Sequence, residues 1–223
     1  MEKTRLFRTI KKTKKCLDNL DVVNPNPEEE LIRWCIIDII HDLDWKGINI
    51  LEQFITRDGK IPDIVLLNNN YIKAIVEVKR ADKDLEEHKE QLYKYLIQTE
   101  AKLGILTNGH QWWFFLPRYK NQWRLKKFCE IEMVDSTSDQ LHKCFLKFLS
   151  RKNLVSPQYS RIARKCIGKY CMDKSISGIS DEELKRKIDE LRNFRKLNDK
   201  KKVLRGNLRY EASLRGLPVE YCL

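Results

Sequence analysis

The sequence predicts a mixed α/β fold, a central sheet flanked by helices. Three observations point there: short apolar runs separated by turn-forming residues, amphipathic stripes before and between those runs, and an element order that reads α-β-β-β-α-β-β-β-α. At 223 residues the chain can bury a real core, as one domain with an appendage or as two small domains. Eight Gly and six Pro exclude collagen-like or low-complexity character. No stretch of about 18 uncharged apolar residues occurs, so no membrane span is expected.

Residues 1–20 read as a short basic helix. Asn24-Pro25-Asn26-Pro27 breaks it and starts the next, with Asn26 as N-cap, Pro27 in the first turn and Glu28, Glu29 and Glu30 complementing its positive end. That helix runs to about Leu43 and buries Ile32, Cys35, Ile36, Ile39, Ile40 and Leu43. Strands are expected over Ile48–Thr56, Ile61–Leu67 and Ile72–Lys79, the last two joined by Asn68-Asn69-Asn70. Asp84–Thr99 carries Leu85, His88, Leu92, Tyr95 and Leu96 on one stripe and reads as a helix. Lys102–Thr107 and Gln111–Leu116 flank Asn108-Gly109, a strong hairpin signal. Trp123–Glu132 is a further strand, and Ser138–Leu149 a helix capped by Ser136 or Ser138. Beyond Ser150 the texture changes: Ser175–Ser180 is loop-like, Asp181–Asp199 is a helix opened by a Ser180/Glu183 capping box, and Lys200–Arg215 is basic.

Charge is distributed unevenly. Residues 1–20 carry +5, residues 151–223 carry +10, and the middle carries −3 within a total of +12. Basic flanks around a slightly acidic middle suit a polyanion held at the edges, although a solvated Lys-rich surface gives the same count. The natural division is a basic N-terminal segment (1–26), a central domain (27–150) and a basic, mainly helical extension (151–223). Within that extension Lys185, Arg192, Arg195, Lys196, Lys200, Lys201, Lys202, Arg205 and Arg209 are the candidate phosphate contacts. The acids at 181–183, 189 and 190 leave the stronger stripe at Arg192–Arg215. No export signal precedes the seven scattered Cys, which read as reduced thiols of a cytoplasmic protein. Cys166 and Cys171 lack the partners of a zinc site. The four His are dispersed, and Trp112-Trp113-Phe114-Phe115 fit a buried sheet better than a base-stacking platform.

The chemistry concentrates in Pro62-Asp63 and Glu77-Val78-Lys79. Glu77 and Lys79 are two apart in a strand and project from one face. If the two runs form a hairpin centred on Asn70, paired residue numbers sum to 140 and Asp63 lies opposite Glu77. Any even sum keeps the two acids on one face, and any odd sum separates them. Opposed carboxylates repel unless a cation lies between them, and hard oxygens suit Mg²⁺ or Mn²⁺. Lys79 beside them could hold a water or a phosphate oxygen, an arrangement suited to phosphodiester hydrolysis. The apolar neighbours Ile64–Leu67 and Ile75-Val76 make these strands central, where an ionic group needs a reason.

Residues Pro27–Pro117 resemble the N-terminal nuclease domain of type I restriction enzyme R (motor) subunits, in the PD-(D/E)xK superfamily. The resemblance rests on the acidic helix start Glu28-Glu29-Glu30, Pro62-Asp63-Ile64, Val76-Glu77-Val78-Lys79, the Gln91-x-x-x-Tyr95 pattern and Leu106-Thr107-Asn108-Gly109, in that order. It extends over roughly residues 27–150. It implies a restriction-endonuclease-like αβββαβ core that cleaves DNA with Mg²⁺, for which Mn²⁺ substitutes. By the same resemblance Asp63, Glu77, the Val78 carbonyl and an acid of the first helix would bind metal. Glu29 is the choice, with Glu28 and Glu30 as alternatives. Lys79 would position the attacking water, and Gln91 and Tyr95 would contact metal-bound water or phosphate.

No GxxxxGK[ST] loop occurs, so neither ATP nor translocation is expected of this chain. The leading expectation is a Mg²⁺-dependent deoxyribonuclease without a motor. A non-catalytic nucleic-acid-binding module or complex subunit is the alternative from another class, and RNA is an alternative substrate. Cutting both strands with one site per chain would need a homodimer or two nicks.

Overall fold

The computed structural model of the protein describes residues 2–19, 35–52, 54–56, 59–119, 122–167 and 180–192. The chain divides into two compact units, Met1–Ile167 and Gly168–Leu223. In the first, helix α1 (Glu2–Asn19) is followed by α2 (Ile37–Asp42), β1 (Ile50–Leu51), β2 (Ile64–Asn68), β3 (Tyr71–Val78), α3 (Lys89–Thr99), β4 (Leu103–Thr107), β5 (Gln111–Tyr119), β6 (Gln122–Glu132) and α4 (Ser138–Phe148). The expected alternation of helices and strands is present.

The six strands form one sheet in the order β1-β2-β3-β4-β5-β6. β3 and β4 are parallel, and the other neighbours are antiparallel. The parallel step requires a crossover, which α3 supplies. This mixed architecture is consistent with a restriction-endonuclease-like fold.

Side-chain alternation sends two apolar sets to opposite faces. Ile64, Leu66, Ala74, Val76, Leu103, Ile105, Trp112 and Phe114 join the larger core, closed by Leu6 and Ile10 of α1, Ile39 and Ile40 of α2, Phe145 and Phe148 of α4, and Leu154, Tyr159 and Ala163 beyond it. Val65, Ile75, Leu106, Trp113 and Phe115 point the other way, onto Leu92, Tyr95 and Leu96 of α3. Both faces are covered, which is why β4 is buried along its whole length and the strands read as continuous apolar runs. The four consecutive aromatics are all buried, two on each side. The basic helix α1 and residues 151–167, though grouped by charge with the flanks, contribute core side chains.

The β2–β3 hairpin turns at Asn69 and Asn70, both in the left-handed region (φ 51° and 63°), as a two-residue type I′ connection requires. Next to the turn Asn68 pairs with Tyr71 and Leu67 with Ile72, an odd sum of 139. A bulge then leaves Lys73 unopposed, and Leu66↔Ala74, Val65↔Ile75 and Ile64↔Val76 all sum to 140. The expected register therefore holds where the acids lie, and it does so through an irregularity absent from the sequence reading.

Several expectations need correction. Ile48–Thr56 is not a strand: Gly47–Asn49 is a 3-10 turn and only Ile50–Leu51 pairs, against Leu66 and Val65. Ile48 and Ile55 are exposed, so the apolar composition found no second face to cover it. The β4–β5 loop centres on Gly109-His110, not Asn108-Gly109, with Gly109 alone at positive φ (85°). The cap of α4 is Thr137, between the two Ser expected; its hydroxyl accepts from the Gln140 N–H and Gln140 answers to the Thr137 N–H. The Asp84–Thr99 helix begins as a 3-10 turn (Leu85–His88) capped by Asp84.

In the second unit, Asp181–Arg192 is helical and Ser180 Oγ accepts from the Glu183 N–H at 3.2 Å. The expected start of the residue 26–43 helix, the Ser175–Ser180 loop up to residue 179, and Lys200–Arg215 lie outside the described residues.

Candidate active site

Asp63 sits one residue before β2, and Glu77 near the end of β3. Continuing the 140 register places them opposite each other on the face that α3 covers. The contacts agree: Asp63 Oδ2 accepts from the Val78 N–H at 2.6 Å, a charge-assisted bond that pins the carboxylate to the end of β3.

Glu77 is almost wholly buried, with its side chain 2% exposed. Its Oε1 accepts from Lys79 Nζ at 2.7 Å, while Oε2 is buried without a hydrogen-bond partner. A buried carboxylate oxygen that nothing satisfies is costly. Burial first, and the charge of Asp63 second, push the Glu77 carboxyl up to about 7, against the opposing pull of Lys79.

Lys79 follows the last strand residue, its N–H still tied to Thr107 O at 2.8 Å. Its side chain, 12% exposed, lies along the same face as Glu77, as the two-residue spacing requires.

From α3, Gln91 Nε2 donates to Tyr95 Oη at 3.1 Å, and Tyr95 Oη donates to Ile61 O at 3.3 Å. The pair is one turn apart on the helix, as expected. It acts on the chain just ahead of Pro62-Asp63, fixing the approach to the carboxylate. Tyr95 is raised above its ordinary value, chiefly by burial, and Glu77 and Asp63 add to the rise. α3 approaches the sheet closely at Gly104, where a Cβ would come within 2.5 Å of Leu96 Cδ1 and 3.2 Å of Leu92 Cδ2. That glycine, inside an apolar strand, was a readable sign of close packing.

Glu29 lies outside the described residues, and so do Arg195, Lys196, Lys200, Lys201, Lys202, Arg205 and Arg209. Lys185 is exposed on the Asp181–Arg192 helix, whose C-terminal residue is Arg192. Among the described residues no group of three or more His, Cys, Asp or Glu side chains converges as a metal cage. Two carboxylates do converge, and the unsatisfied Glu77 Oε2 beside a second acid is an arrangement that a hard divalent cation would relieve.

Sequence comparison bears on the same stretch. Residues 27–123 match the family described as Type I restriction enzyme R protein N terminus (HSDR_N). The R-protein match takes in α2, β1 to β5 and the start of β6, and with them Asp63, Glu77, Lys79, Gln91 and Tyr95. It agrees with the resemblance read from the motifs: this stretch, a little under half of the chain, is similar to that family. No curated protein matches the chain. A chain in a solved structure titled "cryoEM structure DrdV-DNA complex" is similar at 15% identity and a TM-score of 0.47, over 84% of this chain and 17% of that one.

The sequence reading missed Asn108, Gly104 and the Ile61 carbonyl. Asn108 stood inside a quoted motif without a task, and Gly104 stood out as a strand glycine. Nothing local could have marked a backbone carbonyl.

Proposed function

We propose that this protein is a divalent-metal-dependent phosphodiesterase that cleaves DNA. The observation that supports it is Glu77: buried, deprived of a partner at Oε2, and set beside Asp63 and Lys79 at the end of a central strand. Carrying such a group costs stability, and a metal-binding task accounts for the cost.

Asp63 and Glu77 would hold the ion, with the Val78 carbonyl and Glu29 as further ligands. Bound Mg²⁺ would acidify water and offset negative charge on the phosphate. The chain's own residues do the rest. Val78 N–H orients the Asp63 carboxylate. The Tyr95 hydroxyl, backed by Gln91, fixes the backbone that presents Asp63. Lys79 contributes a nearly buried ammonium that neutralises Glu77 in the resting state and would turn to the scissile phosphate or its attacking water when the carboxylate is otherwise engaged. The +10 of residues 151–223 suits a DNA backbone, with Lys185 and Arg192 and the basic positions beyond them as contacts.

Plasmid cleavage by the wild type and by Lys79→Ala, each with Mg²⁺ and with EDTA, tests the reading. Wild-type cleavage that depends on Mg²⁺ and falls at least about 100-fold in the variant is expected. Equal activity in the two proteins, or none with any divalent metal, overturns it.

A further inference from the structure

Of the elements that carry the family resemblance, the Leu106–Gly109 run has no part in the chemistry above. Asn108 within it is buried, 6% exposed. Its side chain makes three hydrogen bonds. Nδ2 donates to Ala81 O at 3.3 Å and to Lys83 O at 3.2 Å, and Oδ1 accepts from the Gln111 N–H at 2.8 Å. The last bond belongs to the β4–β5 turn. The first two reach 25 and more residues back along the chain, to the connection between β3 and α3.

That connection leaves the sheet at Lys79 and turns at Arg80, whose carbonyl accepts from the Lys83 N–H at 3.0 Å. It then enters the Asp84 cap and the 3-10 turn that leads to Gln91 and Tyr95. Asp82, Lys83 and Asp84 are exposed, so apolar packing does little to hold them. The backbone bond from Lys79 to Thr107 secures the start of the segment, and the Asn108 amide secures its middle. Both anchors come from the end of β4.

We propose that Asn108 is a positioning residue: its amide clamps the residue 80–84 connection so that the Lys79 ammonium and the Gln91–Tyr95 pair keep a fixed relation to Asp63 and Glu77. The proposal rests on the nuclease reading for its functional half only. Donation is the essential property. Aspartate at this position would still accept from Gln111 but would set lone pairs against two carbonyls, whereas alanine would release all three partners.

Asn108→Asp and Asn108→Ala in the full chain test it, read by hydrogen exchange over residues 80–90 and by kcat and KM for duplex cleavage with Mg²⁺. Exchange over that segment should rise several-fold in both variants, with β2 to β4 unchanged. In both, kcat should fall about 10- to 100-fold with KM nearly unmoved. Should Asn108→Ala fail to fold, Asn108→Asp, which keeps the turn bond, decides alone. Exchange that stays at the wild-type level, or an aspartate variant with wild-type kcat, overturns the proposal. A wild type that never cleaves DNA sinks the nuclease reading but not the clamp. The clamp then stands if exchange rises in the variants and falls if it does not.

Discussion

The two faces of the sheet are built from alternate residues of the same strands, yet they differ in kind. One face meets α1, α2, α4 and the residues after α4, and is packed with aromatic and branched side chains, among them Trp112 against Phe145 at a centroid distance of 4.9 Å. The other face meets α3, holds the smaller apolar set, and carries at its end two carboxylates and an ammonium. Residues 75 and 77 are neighbours on that second face, one in the core and one in the site. Stability is thus concentrated on one side of the sheet, and the strain of a buried charge is placed on the other.

Phe145→Ala should break the first face. Removing a fully buried ring from the larger core is expected to destabilise the protein by about 3–5 kcal/mol, measured by urea unfolding. Cleavage per folded molecule should hardly change. A comparable loss of specific activity would mean that the two faces are not separable.

Glu77→Gln probes the second face with the opposite sign. The folded state holds the Glu77 proton more tightly than the unfolded chain, where the value is 4.5, because burial and Asp63 raise it to about 7. The contribution to stability is complete below about pH 4.5 and is lost as pH rises through about 7. The shift corresponds to about 3 kcal/mol. In EDTA, the variant should therefore gain on the wild type by about that much between pH 4.5 and 8, seen as a crossing of unfolding midpoints. Adding Mg²⁺ at pH 8 should restore the wild type and leave the variant unmoved. Parallel pH profiles for the two proteins would remove the case for a strained carboxylate.

The smallest expected effect lies between the faces, at the close approach of α3. Gly104→Ala puts a methyl 2.5 Å from Leu96 Cδ1, a flexible tip that can give way. A cost of about 1–3 kcal/mol is expected. Cleavage should fall further than that cost explains, since Gln91 and Tyr95 ride on the displaced helix. A variant with normal cleavage would show that the pair tolerates movement.

What the sequence disclosed follows from the same contrast. The two covered faces leave a direct mark, uninterrupted apolar strands, so a mixed sheet and the order of its elements along the chain were readable. The parity of Asp63 and Glu77 was legible only as a condition: strands apolar on both faces do not penalise a one-residue slip, the turn alone sets an odd sum, and the bulge at Lys73 restores the even one. Other features depend on what lies across space. Ile48–Thr56 has strand composition, but only Ile50 and Leu51 find a partner. Asn108-Gly109 has the sequence of a hairpin turn, but Asn108 is recruited by Ala81 and Lys83, and the turn moves on by one residue. The cap of α4 fell to Thr137 because only there does Gln140 reply from three residues on.

The bulge at Lys73 has a bearing on how such sites are recognised. Thirteen residues separate Asp63 from Glu77 in this chain, and one of them is accommodated outside the ladder. A hairpin that had shed that residue would bring its acids equally well together, with the tally between them reduced by one. A motif defined by a rigid interval would pass over it, and counting rungs instead of letters would not.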